Sequence, residues 1–513
     1  MEPPARVSVI ATLTALAGGT APGTLAAATE LAARSAALGA DGLELRADLL
    51  GDLDPEPLRR AFPGKLLYTL RSRAEGGLFD GSAERCRRRL LEAAAAGYDF
   101  VDLEAARDLQ PELLAEIAPG RRLLSWHGPA TDLDGLTACF EKMASTEAAL
   151  YKLVPAAVQP GEELAPLQLL KALARRDVIA FATGPAGAWT RLVAPYLGAA
   201  VVYAAAGEAP GAPGQPALAA LRDDYGLPSL PPVEALFGVV GNPVVHSLSP
   251  RIHNAGYREL GLPALYLPFH AETFGDFWLE VVESGVLEAL GMPLRGLSVT
   301  APFKEAALAV SGAESPLASR IGAANTLVWN QGVWEAESTD PDGVVAPLRA
   351  RGIAVAGMAA AVIGAGGGGR SAAVGLALAG ARVTLVNRGV ERGALAAGQL
   401  GLPFLPLSEL DAGAFDLLVN ATTLGRSAAD PLPLPPASLD RLRRGMVVLD
   451  LVYLDRPTPL LAAAASRGAI VIDGREVLLG QALAQFRMMT GRELPVDLAR
   501  RRLGLAVPAG VPG

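Results

Sequence analysis

Lysine, histidine and cysteine are all scarce in this chain. Its 513 residues hold five lysines, at 65, 142, 152, 171 and 304, which leaves forty arginines among the 45 basic residues. There are four histidines and two cysteines. Cys86 and Cys139 are too few and too isolated for a disulfide framework or a zinc site, and read as reduced, inert thiols. A net charge of −8 excludes the basic footprint of a nucleic-acid binder, and so few histidines give no metal cluster. No apolar run reaches the roughly eighteen residues needed to span a bilayer. The N-terminal MEPPARVSVIATLTALAGG has no charged region ahead of its apolar run, so a signal peptide is not expected and a cytoplasmic location is. Nothing fixes an oligomeric state.

The scarcity of lysine sharpens each one. Arginine serves wherever only positive charge is needed, whereas chemistry requiring a deprotonatable amine cannot use a guanidinium. Lys65, Lys142 and Lys171 lie near turns or on polar helix faces and read as solvated charges. Lys152 closes the apolar segment AALYKLV, and Lys304 follows SVTAPF at an expected helix start. Both contexts suggest chemistry.

Length alone implies two to four domains. From residue 7 to 205, apolar runs recur at the spacing of strands that are each followed by a helix: VSVIATLT, DGLELRAD, KLLYTLRS, DFVDLE, RRLLSWH, ALYKLV, DVIAFATG and AAVVYAAA. Eight such units predict a (β/α)8 barrel. Polar residues gather at the strand ends, with Glu44 and Arg46 on the second, Arg71 on the third, Glu104 on the fourth, His127 on the fifth and Lys152 on the sixth. In a barrel these ends converge on one mouth. One such residue reads as a satisfied structural group; six in equivalent positions read as a site for an anionic carbonyl substrate. The amine suggests a Schiff base and His127 the proton-transfer group.

Residues 5 to about 225 resemble a type I 3-dehydroquinate dehydratase. The resemblance rests on ELR at 44–46, TLRSRAEGG at 69–77, VDLE at 101–104, SWH at 125–127, YKL at 151–153, TR at 190–191 and APGQ at 212–215. It implies an imine on Lys152, proton transfer by His127 and assistance from Glu75. Glu44, Arg46, Arg71, Arg191 and Gln215 would hold the substrate's hydroxyls and carboxylate. Gly211 departs from the small hydroxyl residue expected before APGQ. The Pro-rich GLPSLPP at 226–232 reads as the linker, so each half is expected to fold alone when cut near Pro231.

The second half restarts at residue 236 with the strand LFGVVG. Ser249 before Pro250 suits a helix cap, but that reading leaves Asn242, His246 and Ser247 unexplained. Lys304 sits at a helix start, where the macrodipole disfavours a cation, and Asp340 in STDPDG is a candidate partner. AAAVIGAGGGGRSAAVGLALAGARVTLVNRG reads as strand, glycine loop, helix and strand. Its Gly364, Gly366 and Gly369 fit G-x-G-x-x-G, with Gly367 in the same loop, and a pyrophosphate would meet the helix N-terminus. Asn387 and Arg388, with Arg392 a turn on, replace the acidic residue of an NAD site and favour NADP.

Residues 236 to about 505 resemble a shikimate dehydrogenase, on GNPVVHSLSP at 241–250, SVTAPFK at 298–304, IGAANTLV at 321–328, STDPDG at 338–343, GAGGGGR at 364–370, NATTLG at 420–425, DLVY at 450–453 and LLGQALAQF at 478–486. The resemblance implies that Ser247, Ser249 and Tyr453 bind the carboxylate, that Thr300, Asn325, Asp340 and Gln481 bind the rest of the substrate, and that Lys304 and Asp340 form the catalytic pair. Ser338 and Gly389 depart from a usual asparagine and threonine. The expected architecture is α/β: a barrel over 1–226, a substrate domain over 233–340 completed by 471–505, and a Rossmann-like NADP domain over 341–470. The expected function is dehydration of 3-dehydroquinate followed by NADPH-dependent reduction to shikimate, with small molecules as the only partners and no metal, nucleic acid or membrane. The alternatives are an NAD-linked quinate/shikimate dehydrogenase and a quinate-sensing regulator with inactive sites.

Overall fold

All eight apolar runs of the first half form strands: β1 (Ser8–Leu13), β2 (Gly42–Arg46), β3 (Lys65–Thr69), β4 (Phe100–Glu104), β5 (Arg122–Pro129), β6 (Leu150–Ala156), β7 (Val178–Ala180) and β8 (Val201–Ala205). The computed structural model describes residues 5–14, 25–207, 209–426 and 430–507. The strands are parallel and ordered as in the chain, with β8 beside β1. Between β7, only three residues long, and β8 the ladder gives way to one hydrogen bond, from Ala200 N to Val178 O at 3.0 Å. The barrel is therefore nearly closed. Local sequence sets the helices between strands. Ser82 accepts from Arg85 N at 3.2 Å to start Ala83–Ala96, which stops at Gly97 with φ 101°. Asp132 caps Leu133–Ala144 through Gly135 N. These are the side-chain caps and left-handed glycine stops that satisfy orphan helix-end groups.

The chain divides into two compact units, and the first extends beyond the barrel. It comprises Met1–Phe237, Pro243–His246 and Gly261–Leu294; the second comprises Gly238–Asn242, Ser247–Leu260 and Arg295–Gly513. Inside the first unit the Trp189 ring meets Phe269 edge-on at 5.1 Å, Phe269 packs on Phe277, and Lys171 Nζ donates to Leu290 O at 3.5 Å. The stretch expected to be a linker is held at its middle. Ser229–Leu230 pairs antiparallel with Ala5–Arg6, and Val7 N donates to Pro228 O at 3.1 Å.

In the second unit, six parallel strands lie in the order Phe404–Pro406, Arg382–Asn387, Ala359–Ile363, Leu417–Asn420, Val447–Asp450, Ile470–Ile472. Numbered along the chain this is 3-2-1-4-5-6, the doubly wound order whose crevice lies where the strand order reverses. Its strands are continuous apolar runs because both faces are covered, by one cluster around Val362, Leu385 and Leu449 and another around Ile363, Leu418 and Val448. Leu294–Val299, Thr326–Asn330 and Val333–Glu337 form antiparallel pairs in the same unit. The long helix Gly474–Thr490 crosses Asp340–Ala350 at two glycines. A Cβ on Gly480 would come within 2.9 Å of Gly343 Cα, so only glycine permits this approach. Among the described residues no helix is long and apolar enough to cross a membrane.

Candidate active sites

Four consecutive barrel strands send charged groups to one place. Arg71, just past β3, donates through Nη1 to Glu75 (3.0 Å), Glu104 (3.2 Å) and Ser125 (2.9 Å), and through Nη2 to Asp102 (2.6 Å). The loop after it doubles back tightly. A Cβ on Gly77 would lie 2.2 Å from the Arg71 carbonyl, so glycine there is what returns Glu75 to the guanidinium. Three carboxylates around one guanidinium leave an excess of negative charge. Burial first, then Glu104 and Asp102, raise Glu75 to about 8 against the pull of Arg71.

Glu75 also holds His127, meeting its Nδ1 at 3.0 Å and its backbone N–H at 3.2 Å. That leaves Nε2 to act. Burial, then the charges of Arg71, Lys152 and Arg46, push the imidazole well below its ordinary value, so the ring is neutral near pH 7 and able to accept a proton. Lys152 is 6% exposed and its amine makes no hydrogen bond to a described residue. Burial lowers its pKa, Arg71 and Arg46 lower it further, and Glu44 and Asp102 oppose them. A buried amine with a lowered pKa is the form in which lysine becomes a nucleophile.

The remaining sequence-predicted groups are placed around this centre. Glu44 accepts from Thr12 and Thr69, both at 2.8 Å. Arg46 is held bidentate by Asp48 and donates to Gly211 O at 3.0 Å. Gln215 accepts from Gly211 N at 2.6 Å and donates to Thr12 Oγ1 at 3.0 Å. Arg191 is buried over the Phe181 ring and, among the described residues, donates only to Pro213 O and leaves Nε without a partner. Burial without a carboxylate pushes it down to about 10, the state of a guanidinium awaiting an anion. The Gly211 departure has a steric reason: a Cβ there would meet Gln215 Oε1 at 2.9 Å and the methyls of Thr12 and Thr14 at 3.0 Å.

Asp102, Thr12, Thr69 and Ser125 were missed in the sequence. Asp102 and Glu104 sit two apart on β4, which places both on one strand face. That acidic i, i+2 pair was the available signal.

In the second unit Lys304 is ion-paired with Asp340. Asp340 is 1% exposed and its other oxygen accepts from Asn325 Nδ2 and Gln481 Nε2, each at 2.8 Å. Asn325 is fixed in turn by Thr339, and Gln485 ties Asn325 O and Thr326 to Ser298. The Gly343/Gly480 crossing is what brings Gln481 to Asp340 across 141 residues. Thr300 donates its backbone N–H to Val240 O at 3.0 Å. Tyr453 hydrogen-bonds Ser247 and the Leu248 backbone, and burial raises its phenol; Ser247 Oγ accepts from Ser249 N.

The glycine loop adjoins this pair. Gly364 has φ 117°, Gly366 caps the helix Gly367–Leu378, and a Cβ on Gly369 would strike Gly364 O at 1.8 Å. Cβ atoms on Gly367 and Gly368 would lie 3.1 Å from Lys304 Cβ and 4.0 Å from its Nζ. Asn387 is occupied locally, accepting from Ala365 N and donating to Gly389 O. Arg388 is exposed. Arg392, also exposed, lies 3.8 Å from Glu305, which Arg370 binds at 2.8 Å.

Comparison with known proteins covers most of the chain. The type I 3-dehydroquinase family model matches residues 21–230, the shikimate dehydrogenase substrate binding domain 239–327 and the shikimate 5'-dehydrogenase C-terminal domain 474–503. An FAD binding domain model matches 359–438, the segment with the dinucleotide-type glycine loop. The chloroplastic bifunctional 3-dehydroquinate dehydratase/shikimate dehydrogenase of Arabidopsis thaliana is 31% identical over 492 residues, 90% of this chain and 79% of that protein. The shikimate dehydrogenase (NADP(+)) of Acidiphilium cryptum is 42% identical over 270 residues, 52% of this chain and 94% of its own. A crystal structure of Thermus thermophilus shikimate 5-dehydrogenase with NADP(H) and shikimate aligns at TM-score 0.47 and 35% identity, over 53% of this chain and 98% of that one. A dehydratase barrel followed by a reductase, matched over 90% of the chain by one relative, places the chain in the family of bifunctional 3-dehydroquinate dehydratase/shikimate dehydrogenases.

Proposed function

We propose that the barrel dehydrates 3-dehydroquinate through an imine on Lys152, and that Lys304 and Asp340 serve the NADPH-dependent reduction of the resulting 3-dehydroshikimate to shikimate. The observation that carries the reading is the buried Lys152 amine, unbonded and lowered in pKa, beside a His127 that Glu75 holds by one nitrogen.

In the barrel, the Lys152 Nζ adds to the ketone carbon, and loss of water gives an iminium. The iminium draws electrons from the adjacent C–H bond, so His127 Nε2, a weak base, can take that proton. The enamine then expels the neighbouring hydroxyl, to which His127 returns the proton, and water hydrolyses the iminium to free Lys152. One water is lost overall. Arg191, lacking an anionic partner, suits the substrate carboxylate; Glu44, Arg46, Arg71 and Gln215 suit its hydroxyls.

In the reductase, the glycine loop fits a dinucleotide. The first turn of the helix after Gly366 has N–H groups without intrahelical partners, and a Cβ on Gly366 would have only Arg392, 4.0 Å away, near it. Gly364, Gly366, Gly367 and Gly369 would hold the diphosphate and Arg388 and Arg392 the 2′-phosphate, with Asn387 supporting the loop. Bound NADPH supplies a hydride. Lys304 hydrogen-bonds the carbonyl oxygen and gives it a proton, while Asp340, ion-paired with that amine, holds it in place. Ser247, Ser249 and Tyr453 suit the carboxylate, and Thr300, Asn325 and Gln481 the rest of the ring.

In this reading the chain divides into 1–226, 233–340 with 471–505, and 341–470. The reach of Gln481 and Gln485 back to Asp340 and Asn325 supports the return of the C-terminal helix to the substrate site. Its partners are small molecules and its place the cytoplasm. The test is a coupled assay: 3-dehydroquinate with NADPH should yield shikimate and NADP in equal amounts. Dehydroquinate consumed without NADPH oxidation, or no turnover, overturns the reading.

A further inference from the structure

Directly beneath the Lys152 amine lies a residue that neither the mechanism nor the sequence reading uses. Tyr203, in the middle of β8 and paired with Ile10 of β1, is 3% exposed. The Lys152 Nζ sits 4.1 Å from its ring centroid, well inside the roughly 6 Å at which a cation is drawn to an aromatic face. Its hydroxyl is buried and makes no hydrogen bond to a described residue. A tyrosine that only filled the barrel would do better as phenylalanine or with its hydroxyl satisfied.

We infer that the π face of Tyr203 is a catalytic element of the dehydratase, a platform that stabilises the positive charge on the Lys152 nitrogen; this rests on the imine reading above. That nitrogen is cationic as the iminium, and as the ammonium whenever the amine is protonated. Both forms stand in a desolvated pocket, where burial works against them. An aromatic face offsets part of that cost without supplying a proton or a counter-charge, which a carboxylate in contact would do at the expense of nucleophilicity. Burial, then Glu44 and Asp102, raise the phenol well above its ordinary range and favour its neutral form.

The charged groups acting on the amine come from the strands opposite: Glu44 and Arg46 on β2, Arg71 after β3 and Asp102 on β4. The Lys152 charge is felt in turn by His127 on β5. None of them is altered by changing residue 203, which makes that position a clean probe.

The experiment uses the full chain. Borohydride with 3-dehydroquinate should add ligand mass to the Lys152 peptide of the unaltered protein; labelling elsewhere removes the imine reading itself and the inference with it. Given that label, Tyr203→Leu should slow trapping and kcat about tenfold, within the range of a desolvated cation–π contact. It should also move the acid limb of kcat/KM to lower pH, since the ammonium loses support. Tyr203→Phe should restore trapping relative to Tyr203→Leu. Mono-, di- and trifluorophenylalanine at 203 keep the shape while draining the ring's negative face, and should lower the trapping rate stepwise. Equal rates along the fluorinated series, or a Tyr203→Leu protein, folded by circular dichroism, that traps and titrates like the unaltered one, would overturn the inference.

Discussion

The two lysines proposed for chemistry differ in the company they keep. Lys152 is buried, touches no carboxylate, faces an aromatic ring and has its pKa lowered by burial. Lys304 stands at a helix start, ion-paired to an aspartate that two further side chains hold in place. An amine that must attack carbon has to lose its proton, whereas an amine that must deliver one has to keep it. Burial without a partner favours the first for Lys152; Lys304 instead has a fixed carboxylate partner. In the proposed reading, one residue type serves two reactions, each in its own surroundings.

Exchange of the two lysines breaks the comparison most directly. Lys152→Ala should lower dehydration by roughly 10⁴-fold or more, the scale of deleting a nucleophile, while reduction of supplied 3-dehydroshikimate continues. Lys304→Ala should do the reverse and let 3-dehydroshikimate accumulate. Separate assays of each step check this; loss of both activities in one folded variant would mean the sites are not independent.

Next in size, Gly480→Ala should cost about 1–3 kcal/mol as an overpacked contact against Gly343. It should displace Gln481 from Asp340 and so raise KM for dehydroshikimate, leaving the barrel reaction untouched. Steady-state kinetics of both halves would show a sharper contrast; an unchanged reductase would mean the helix crossing tolerates a methyl.

Arg388→Ala should weaken NADPH by about 1.5 kcal/mol, the low end for a hydrogen bond to a charged group because the side chain is exposed. NADH should be nearly unaffected. Equal losses would assign 2′-phosphate reading to Arg392 alone.

The smallest effect is a pH slope confined to the barrel. Glu75 has a folded pKa raised to about 8, above its unfolded value. Folding therefore takes up a proton between those values, and this stabilisation, complete at low pH, is lost as pH rises toward about 8. Glu75→Gln removes that dependence. Thermal unfolding from pH 5 to 9 should be flatter for the variant, and an identical slope would show that Glu75 is ionised throughout.

Legibility followed geometry in the same way in both halves. Lys152, His127 and the arginines were readable because strand ends are marked by the change from apolar to polar residues. Asp102 and Ser125 sit two residues before Glu104 and His127 on β4 and β5, on the same strand faces, so the i, i+2 spacing was the signal that could have found them. Tyr203 lies in VVYAA, where every residue is buried and alternation is invisible. Lys304 and Asp340 were readable from a cation at a helix start and an acid in a turn. Gln481 came from the resemblance, since its meeting with Asp340 depends on two glycines whose closeness no local pattern reveals.

The stretch between the two reactions is exposed at Pro231 and Pro232, yet the strand pair Ser229–Leu230 with Ala5–Arg6 precedes it, and residues 261–294 pack beside Trp189 of the barrel. The point where the chain changes chemistry is thus not where it changes body. A protease that nicked the backbone there would leave residues 261–294 still packed on the barrel through the Trp189–Phe269 contact, and a reductase produced from residue 233 onward would lose Trp189 from beside Phe269. An expression boundary drawn from the motifs alone, such as the cut near Pro231, would divide a single folded layer. A boundary that respects the packing would keep residues 261–294 with the barrel.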